Sequence, residues 1–317
     1  MNKEMNLPKI ALGTWSWGVG TAGGDQVFGN HLGAEELKPV FDAAMKNGLN
    51  LWDSAVVYGM GASETILGSF TKDYPREEVI ISTKFTPQIV GDATNPVLEM
   101  CDGSLARFSA DYIDIYWIHN PSDVEKWTPY LIPLVKSGKV KRVGVSNHNL
   151  AQIKRAEEIL SKEGVHVSAV QNHFSLLYRS SEKGGILEYC KENNITFFAY
   201  MVLEQGALSG KYSTKNPLPA DSQRGKTYNP IMMQIEGLTS VMKEVGEKYD
   251  ASVSQVGMAW AIAKGTTPIV GVTRPEQVED AAKATKFELS NGDMEKLEAA
   301  AAEIDVDTKG AWERPMV

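Results

Sequence analysis

Short apolar runs, dense in β-branched and aromatic side chains, recur along the chain at 9–14, 49–53, 79–83, 112–118, 140–146, 167–171, 196–200 and 267–270. Each has the length and make-up of a strand, and several are apolar without alternation, the pattern of a parallel strand covered on both faces. Between them apolar residues fall three and four apart, which predicts amphipathic helices over 34–46, 63–70, 96–108, 150–161, 185–192, 253–263 and 275–284. Gly48 and Gly164 stand where a helix ends in a left-handed residue. Asn147 or Asn149 is placed to cap the helix beginning near Leu150. Strands alternating with helices predict one closed parallel α/β barrel, a (β/α)8 TIM barrel formed by 1–317 as a single domain. An open doubly wound sheet is the rival arrangement, but no GxGxxG follows the first strand.

Two segments break the rhythm. Residues 204–230 are rich in Gly, Ser, Lys, Asn and Pro and follow the strand ending at Tyr200, where long loops act as lids or binding loops. A further helix is expected over 232–249. Residues 305–317, which include Trp312, are expected either to fold over a pocket mouth or to form a loose terminus.

Composition narrows the function. A chain of 317 residues with 43% hydrophobic and 23% charged positions buries a large core and is not disordered. A net charge of −8 argues against nucleic acid as the main partner, which needs a basic face, but leaves room for a small anionic cofactor on a local basic spot. Cys101 and Cys190 form no CxxC or Cys/His pattern and read as reduced thiols. His31, His119, His148, His166 and His173 lack ligand spacing, so no metal is expected. Of these, His173 follows a strand end near the rim and His148 stands beside Asn147, but for both a surface or core placement is expected. Residues 1–6 carry no apolar signal-like stretch and no run approaches a membrane span. The expectation is a cytoplasmic protein with no membrane partner, monomeric or a small homo-oligomer.

Candidate chemistry comes from where four polar residues fall. Asp53, Tyr58, Lys84 and His119 lie at or just past the ends of successive strand-like runs. In a parallel barrel those ends sit side by side on the catalytic rim. Each residue alone has an ordinary explanation; their coincidence on three consecutive strand ends points to one site. A free Tyr, with a pKa of about 10, is a poor acid at neutral pH. An ammonium at Lys84, held by Asp53, is expected to lower that value. Tyr58 then protonates a carbonyl oxygen as hydride reaches the carbon, and His119 orients the same oxygen.

These segments resemble the aldo-keto reductase superfamily. The resemblance rests on Gly13-Thr14-Trp15, the stretch from Asp53 to Gly61-Ala62-Ser63-Glu64, Ser82-Thr83-Lys84, and His119-Asn120-Pro121. It continues through Gly144-Val145-Ser146-Asn147, Gln171-Asn172, Gly206 to Tyr212, Val270-Gly271 and Arg274 to Gln277. It implies a TIM barrel, the tetrad Asp53, Tyr58, Lys84 and His119, and a nicotinamide cofactor. Ser146, Asn147 and Gln171 match the set that holds the carboxamide, and Tyr200 the ring that stacks on the nicotinamide. Gly206, Leu208, Gly210 and Lys211 match the loop over the pyrophosphate, and Arg274 a contact to the adenosine 2′-phosphate. NADPH is therefore favoured over NADH. Gly13, Thr14, Trp15, Asp53, Met201, Leu203, Gly271, Thr273, Gln277 and Asp280 complete the expected cofactor set. The chain departs from the family at Met201, where a Ser is frequent, at Thr273, where a basic residue is, and at Ala281, where an Asn often meets the adenine. NADH is consequently possible.

Trp15, Tyr58, His119, Asn120 and Trp312 are expected to form the substrate pocket, with Trp17 a further candidate for its wall and the loops 18–32 and 91–95 nearby. Aromatic walls suit ring-shaped carbonyl compounds or sugars. Trp117 is expected to point into the barrel and Trp52 to face the helices, and 18–33 to be a flexible rim. Two other readings compete with a carbonyl reductase: a nicotinamide-binding redox sensor, and a lyase using Lys84 as a Schiff-base amine, which Asp53 would oppose by keeping the amine charged.

Overall fold

Each apolar run becomes a strand in the computed structural model, which describes residues 7–304 and 306–316. The strands are β1 (Ala11–Gly13), β2 (Leu51–Asp53), β3 (Ile80–Phe85), β4 (Ile113–Ile118), β5 (Val140–Ser146), β6 (Val167–His173), β7 (Thr196–Tyr200) and β8 (Thr267–Gly271). They pair in chain order, all parallel, and β1 closes on β8 to give a (β/α)8 barrel. The readings of 1–6 and of the two end positions of 305–317 lie outside the described residues.

The period of two along each strand explains both the core and the site. Ala11, Leu51, Ile115, Trp117, Ala169 and Phe198 fill the barrel interior as a small cluster of their own. Their chain neighbours Leu12, Trp52, Tyr116, Val170 and Phe197 turn outward into the larger core beneath the helices. Two residues further along each strand, the inner register reaches Gly13, Asp53, His119, Gln171 and Tyr200, with Lys84 and Ser146 on the same parity. The inner face thus changes from apolar filler to polar groups as it reaches the rim, the arrangement expected of a barrel enzyme. Trp117 points inward and Trp52 outward, as the parity predicts.

Trp17 does not reach the pocket. It is fully buried, packs on Trp52 and Phe70, and donates from Nε1 to Val272 O at 2.7 Å. Nor is 18–33 a loose rim. It contains a short helix, Gly24–Phe28, and a Cβ at Gly24 would stand 2.3 Å from Ser16 O, so this chain crossing requires glycine.

The principal helices fall close to the amphipathic stretches, among them Ala34–Lys46, Pro96–Phe108, Leu150–Ser161 and Pro275–Ala284. Asn149, not Asn147, caps Leu150–Ser161: its side chain accepts from Gln152 N while Gln152 Oε1 accepts from Asn149 N. Two helices carried weak signals. Asn291–Ala302 buries only Asp293, Leu297 and Ala301 in an alanine-rich stretch. Leu131–Lys136 contains Pro133, which ordinarily argues against a helix. Within 204–230 lie the turn Glu204–Ser209 and the helix Gln223–Tyr228. Cys101 and Cys190 are free and buried, and burial pushes both thiols up to about 12. No described helix is long and apolar enough to cross a membrane.

Gly144 is the tightest point of the inner layer. A Cβ there would lie 2.4 Å from the Trp117 ring and 2.9 Å from Ala169 O. Gly144→Ala is predicted to destabilise the protein by about 1–3 kcal/mol, the usual cost of overpacking a filled core. Thermal denaturation checks this; an unchanged melting temperature would contradict the packing described.

Candidate active site

The tetrad assembles on the rim. Lys84 is fully buried, and its Nζ donates to Asp53 Oδ2 at 2.6 Å and to Ser54 O at 2.7 Å. Asp53 Oδ1 accepts from Ser82 Oγ at 2.7 Å and from Gln171 Nε2 at 3.1 Å. Ser82 in turn accepts from Trp117 Nε1 at 2.7 Å. The carboxylate is therefore held from two strands, β3 and β6, and the inner tryptophan on β4 fixes its support. Tyr58 follows on the loop after β2, with Lys84 Nζ 5.3 Å from its ring centroid and interacting with its hydroxyl. The His119 ring meets Tyr58 edge-on at 6.2 Å.

The backbone beyond Tyr58 is unusual. Gly59, Met60 and Gly61 all have positive φ, a run that turns the chain sharply into the helix Ala62–Thr71. Glu64, buried in the first turn of that helix, accepts from Thr83 Oγ1 at 2.5 Å and from Arg107 Nε at 2.6 Å. The loop bearing Tyr58 is thereby tied to the residue beside Lys84.

Burial opposes the charge on Lys84, but Asp53 and Tyr58 outweigh it and the net shift is upward. The ammonium is thus firmly charged. Burial pushes the Tyr58 phenol up, and the opposing pull of Lys84 does not reverse this. The expectation that Lys84 lowers the Tyr58 pKa below its ordinary value is corrected on this point: in the free protein Tyr58 is a fully protonated phenol beside a cation. Burial first, and the Lys84 charge second, hold His119 well below the ordinary imidazole range, so its ring is neutral. Thr86 Oγ1 lies 2.9 Å from His119 Nδ1. A hydroxyl donating there leaves the single ring proton on Nε2. Sequence reasoning missed Thr86, although it lies two residues beyond Lys84 on the same strand parity.

Asp53, Tyr58, Thr86 and His119 line one cavity of about 1350 Å³, with Lys84 buried behind its wall. Of the cofactor set, Gly13, Trp15, Asp53, Ser146, Asn147, Gln171, Tyr200, Met201, Leu203, Gly206 and Lys211 border it, as do Gly271, Thr273, Arg274, Gln277 and Asp280. Three others do not. Thr14 is buried behind the wall, donating to Asp53 O and accepting from Ser63. Leu208 is core. Gly210 packs against Val253, 2.9 Å from where its Cβ would stand. Asn147 is largely engaged within the protein: Oδ1 accepts from Tyr200 Oη at 2.6 Å and Nδ2 donates to His119 O at 2.9 Å. Its positive φ turns it back toward the rim. Ala281 is buried core.

The lining fits an anionic dinucleotide. Lys211 and Arg274 place cations at the exposed part of the cavity, and Ser146 and Gln171 place hydroxyl and amide at the buried part. Tyr200 supplies a flat ring between them. A Cβ at Gly271 would meet nothing within 4 Å, so the backbone there is bare.

On the substrate side, Trp15 stacks on Tyr58 at 5.7 Å and meets Phe28 and Trp312 edge-on at 5.4 and 5.6 Å. Trp312 closes the mouth and donates from Nε1 to Tyr200 Oη at 3.3 Å. Asn120 sits beside Gln88, its Nδ2 donating to Oε1 at 3.2 Å. The loop 91–95 contributes no lining residue; Gln88 and Thr86 line that side instead. Phe28, Arg224 and Arg314 also line the cavity without having been singled out from sequence: the first two sit on helices of five and six residues, too short to show a period, and Arg314 on an irregular segment.

A rim of this kind on a (β/α)8 barrel defines a barrel oxidoreductase acting on carbonyl groups. The model of the Aldo/keto reductase family matches residues 9–302, and the chain belongs to that family. It is 31% identical to the chloroplastic pyridoxal reductase of Arabidopsis thaliana, over 94% of this chain and 84% of that one. It is 30% identical to aldo-keto reductase str7 of Strobilurus tenacellus, over 93% and 90% of the two chains. Among solved structures, the thermostable aldo-keto reductase Tm1743, in complex with the inhibitor epalrestat, superposes with a TM-score of 0.74 at 26% identity, covering 93% of this chain and 95% of that one.

The His119 environment makes a direct prediction. At pH 6.5 the ring is neutral and carries its proton on Nε2, readable from long-range 1H–15N NMR correlations. An imidazolium at that pH, or a proton on Nδ1, would contradict the assignment.

Proposed function

We propose that this protein reduces an aldehyde or ketone to an alcohol using NADPH, with Tyr58 as general acid. The observation that carries the proposal is the buried Lys84 ammonium, pinned by Asp53 against a protonated Tyr58 beside a neutral His119. NADPH, when bound, supplies the hydride. His119 Nε2–H and the Tyr58 hydroxyl converge on the carbonyl oxygen and draw off the charge that develops there. As that charge grows, Tyr58 delivers its proton, and Lys84 stabilises the phenolate left behind. Asp53 keeps Lys84 charged throughout. The same pair argues against a Schiff-base role, which needs a neutral amine.

Ser146 and Gln171 would hold the carboxamide, Tyr200 the nicotinamide ring, and Lys211 and the turn around Gly206 the pyrophosphate. Arg274, exposed and only loosely paired with Glu276 at 4.0 Å, would meet the 2′-phosphate. The whole chain would act as one barrel unit in the cytoplasm. Trp15, Phe28 and Trp312 suit a flat ring, and the name of the Arabidopsis relative makes pyridoxal the first compound to try.

NADPH oxidation followed by absorbance, across pyridoxal, other aromatic aldehydes, diketones and sugars, tests the proposal. Tyr58→Phe is predicted to lower kcat by at least about 10²-fold, the scale of a general acid, while NADPH binds normally. Turnover by the variant at the wild-type rate would refute the assigned acid. Arg274→Ala is predicted to raise KM for NADPH while leaving that for NADH nearly unchanged. Equal effects on both would remove the 2′-phosphate contact.

A further inference from the structure

Behind Tyr200 lies a cluster that the reaction above does not use. His173, the last residue of β6, is fully buried and stacks on Tyr200 at 5.6 Å and on Tyr178 at 4.2 Å. Its Nε2 donates to Glu204 Oε1 at 2.9 Å and its Nδ1 to Glu313 Oε1 at 3.1 Å. Both carboxylates are buried. Glu204 opens the turn 204–209 beside the cofactor side of the cavity, and Glu313 follows Trp312 on the segment 306–316. One imidazole therefore joins three parts of the chain that are otherwise far apart in sequence.

Each carboxylate is committed to this junction. Glu204 also accepts from Ser175 Oγ, from Tyr228 Oη at 2.7 Å and from Thr308 Oγ1 at 3.3 Å. It does so with φ of 47°, a left-handed conformation that a glutamate adopts only when its surroundings impose it. Glu313 accepts from Gly310 N at 2.9 Å. Gly310 lies so close under the Trp312 ring that a Cβ would stand 2.5 Å from it. The bonds to Glu313 thus fold 310–313 into a turn that presents Trp312 to Trp15 and Tyr200.

We propose that His173 is a positioning residue: by clamping Glu204 and Glu313 together it latches 306–316 across the rim and sets Trp312 as the movable wall of the substrate site. The catalytic part of this proposal rests on the reductase reading; the latch itself does not. Burial opposes the charge on His173, but Glu204 and Glu313 outweigh it and raise the pKa from 6.5 to about 9. Since the folded value is the higher, the stabilisation from this clamp is fully present below pH 6.5 and fades as pH rises through about 9. The other titratable groups around the ring are Tyr178, Tyr200 and Tyr228, with Asp307 near Tyr178. All three phenols are themselves shifted upward.

Two measurements test the latch with Glu313→Gln, which weakens one arm, and His173→Gln, which disrupts both. Trypsin cleavage after Lys309 reports release of the segment without any need for turnover. It is expected to quicken at least about tenfold in Glu313→Gln, the scale of losing one hydrogen bond to a charged group. KM for the carbonyl substrate is expected to rise by a similar factor, with a smaller effect on kcat. In the wild type KM should climb as pH passes about 9. His173→Gln should also weaken NADPH binding, because the turn at Glu204 loses its anchor. Cleavage at the wild-type rate in both folded variants would overturn the latch. Faster cleavage with KM and its pH profile unchanged would reduce His173 to a merely structural role, and also overturn the proposal. A wild type that binds NADPH but turns over no carbonyl compound would defeat the reductase reading instead, leaving the cleavage assay to decide the latch.

Discussion

A lysine side chain buried inside a barrel remains an ammonium only if something compensates the water it has lost. Here Asp53 does so, and much of the rim can be read as support for that pair. Asp53 is fixed by Ser82 and Gln171, Ser82 by Trp117, and Trp117 by the space that Gly144 leaves open. Removing one partner of a buried pair commonly costs about 3–5 kcal/mol, because the other is left uncompensated. The pair is thus a structural commitment as well as a chemical one. The Lys84 charge acts in the same direction on the two remaining members of the tetrad, favouring loss of a proton from each: it draws on the Tyr58 phenol and helps keep the His119 imidazole neutral.

This division of labour follows from strand parity. The same alternation that fills the barrel with Leu51, Ile115 and Phe198 brings Asp53, His119 and Tyr200 to its mouth. Where parity governs, the sequence was readable: all eight strands, the inward Trp117, the outward Trp52 and the meeting of the tetrad followed from position along the chain. Beyond the strand ends it was not. Trp17 looked like a pocket wall from its nearness to Trp15, but the turn after β1 sends it into the core. Phe28 and Arg224 reach the cavity from helices too short to show a period, and Arg314 from an irregular segment. Ser146, Asn147 and Gln171 were anticipated as polar groups on the rim, yet the wiring of Asn147 to Tyr200 and His119 follows from tertiary packing rather than from any motif. The Tyr58 shift also went the other way, because desolvation depends on packing density that no motif reports.

The two sides of the cavity are organised differently. The Asp53–Lys84 side is built on strands, each with several polar partners, and has little freedom. The His173 side joins a strand end, a turn and a distal segment through one ring and two carboxylates. Such a junction concentrates the coupling between the cofactor side and the substrate wall in a few bonds. A rigid reactive centre beside an adjustable wall suits a fold whose chemistry is shared while its substrates differ.

The most direct test of the account is the reduction rate of Lys84→Met compared with wild type, with NADPH binding measured in parallel. Methionine fills the same space without charge. If the ammonium supports proton delivery from Tyr58, turnover falls by about 10²–10⁴-fold while the cofactor still binds. Turnover close to the wild-type rate in the folded variant would show that Lys84 does not act on Tyr58, and the central claim would fail.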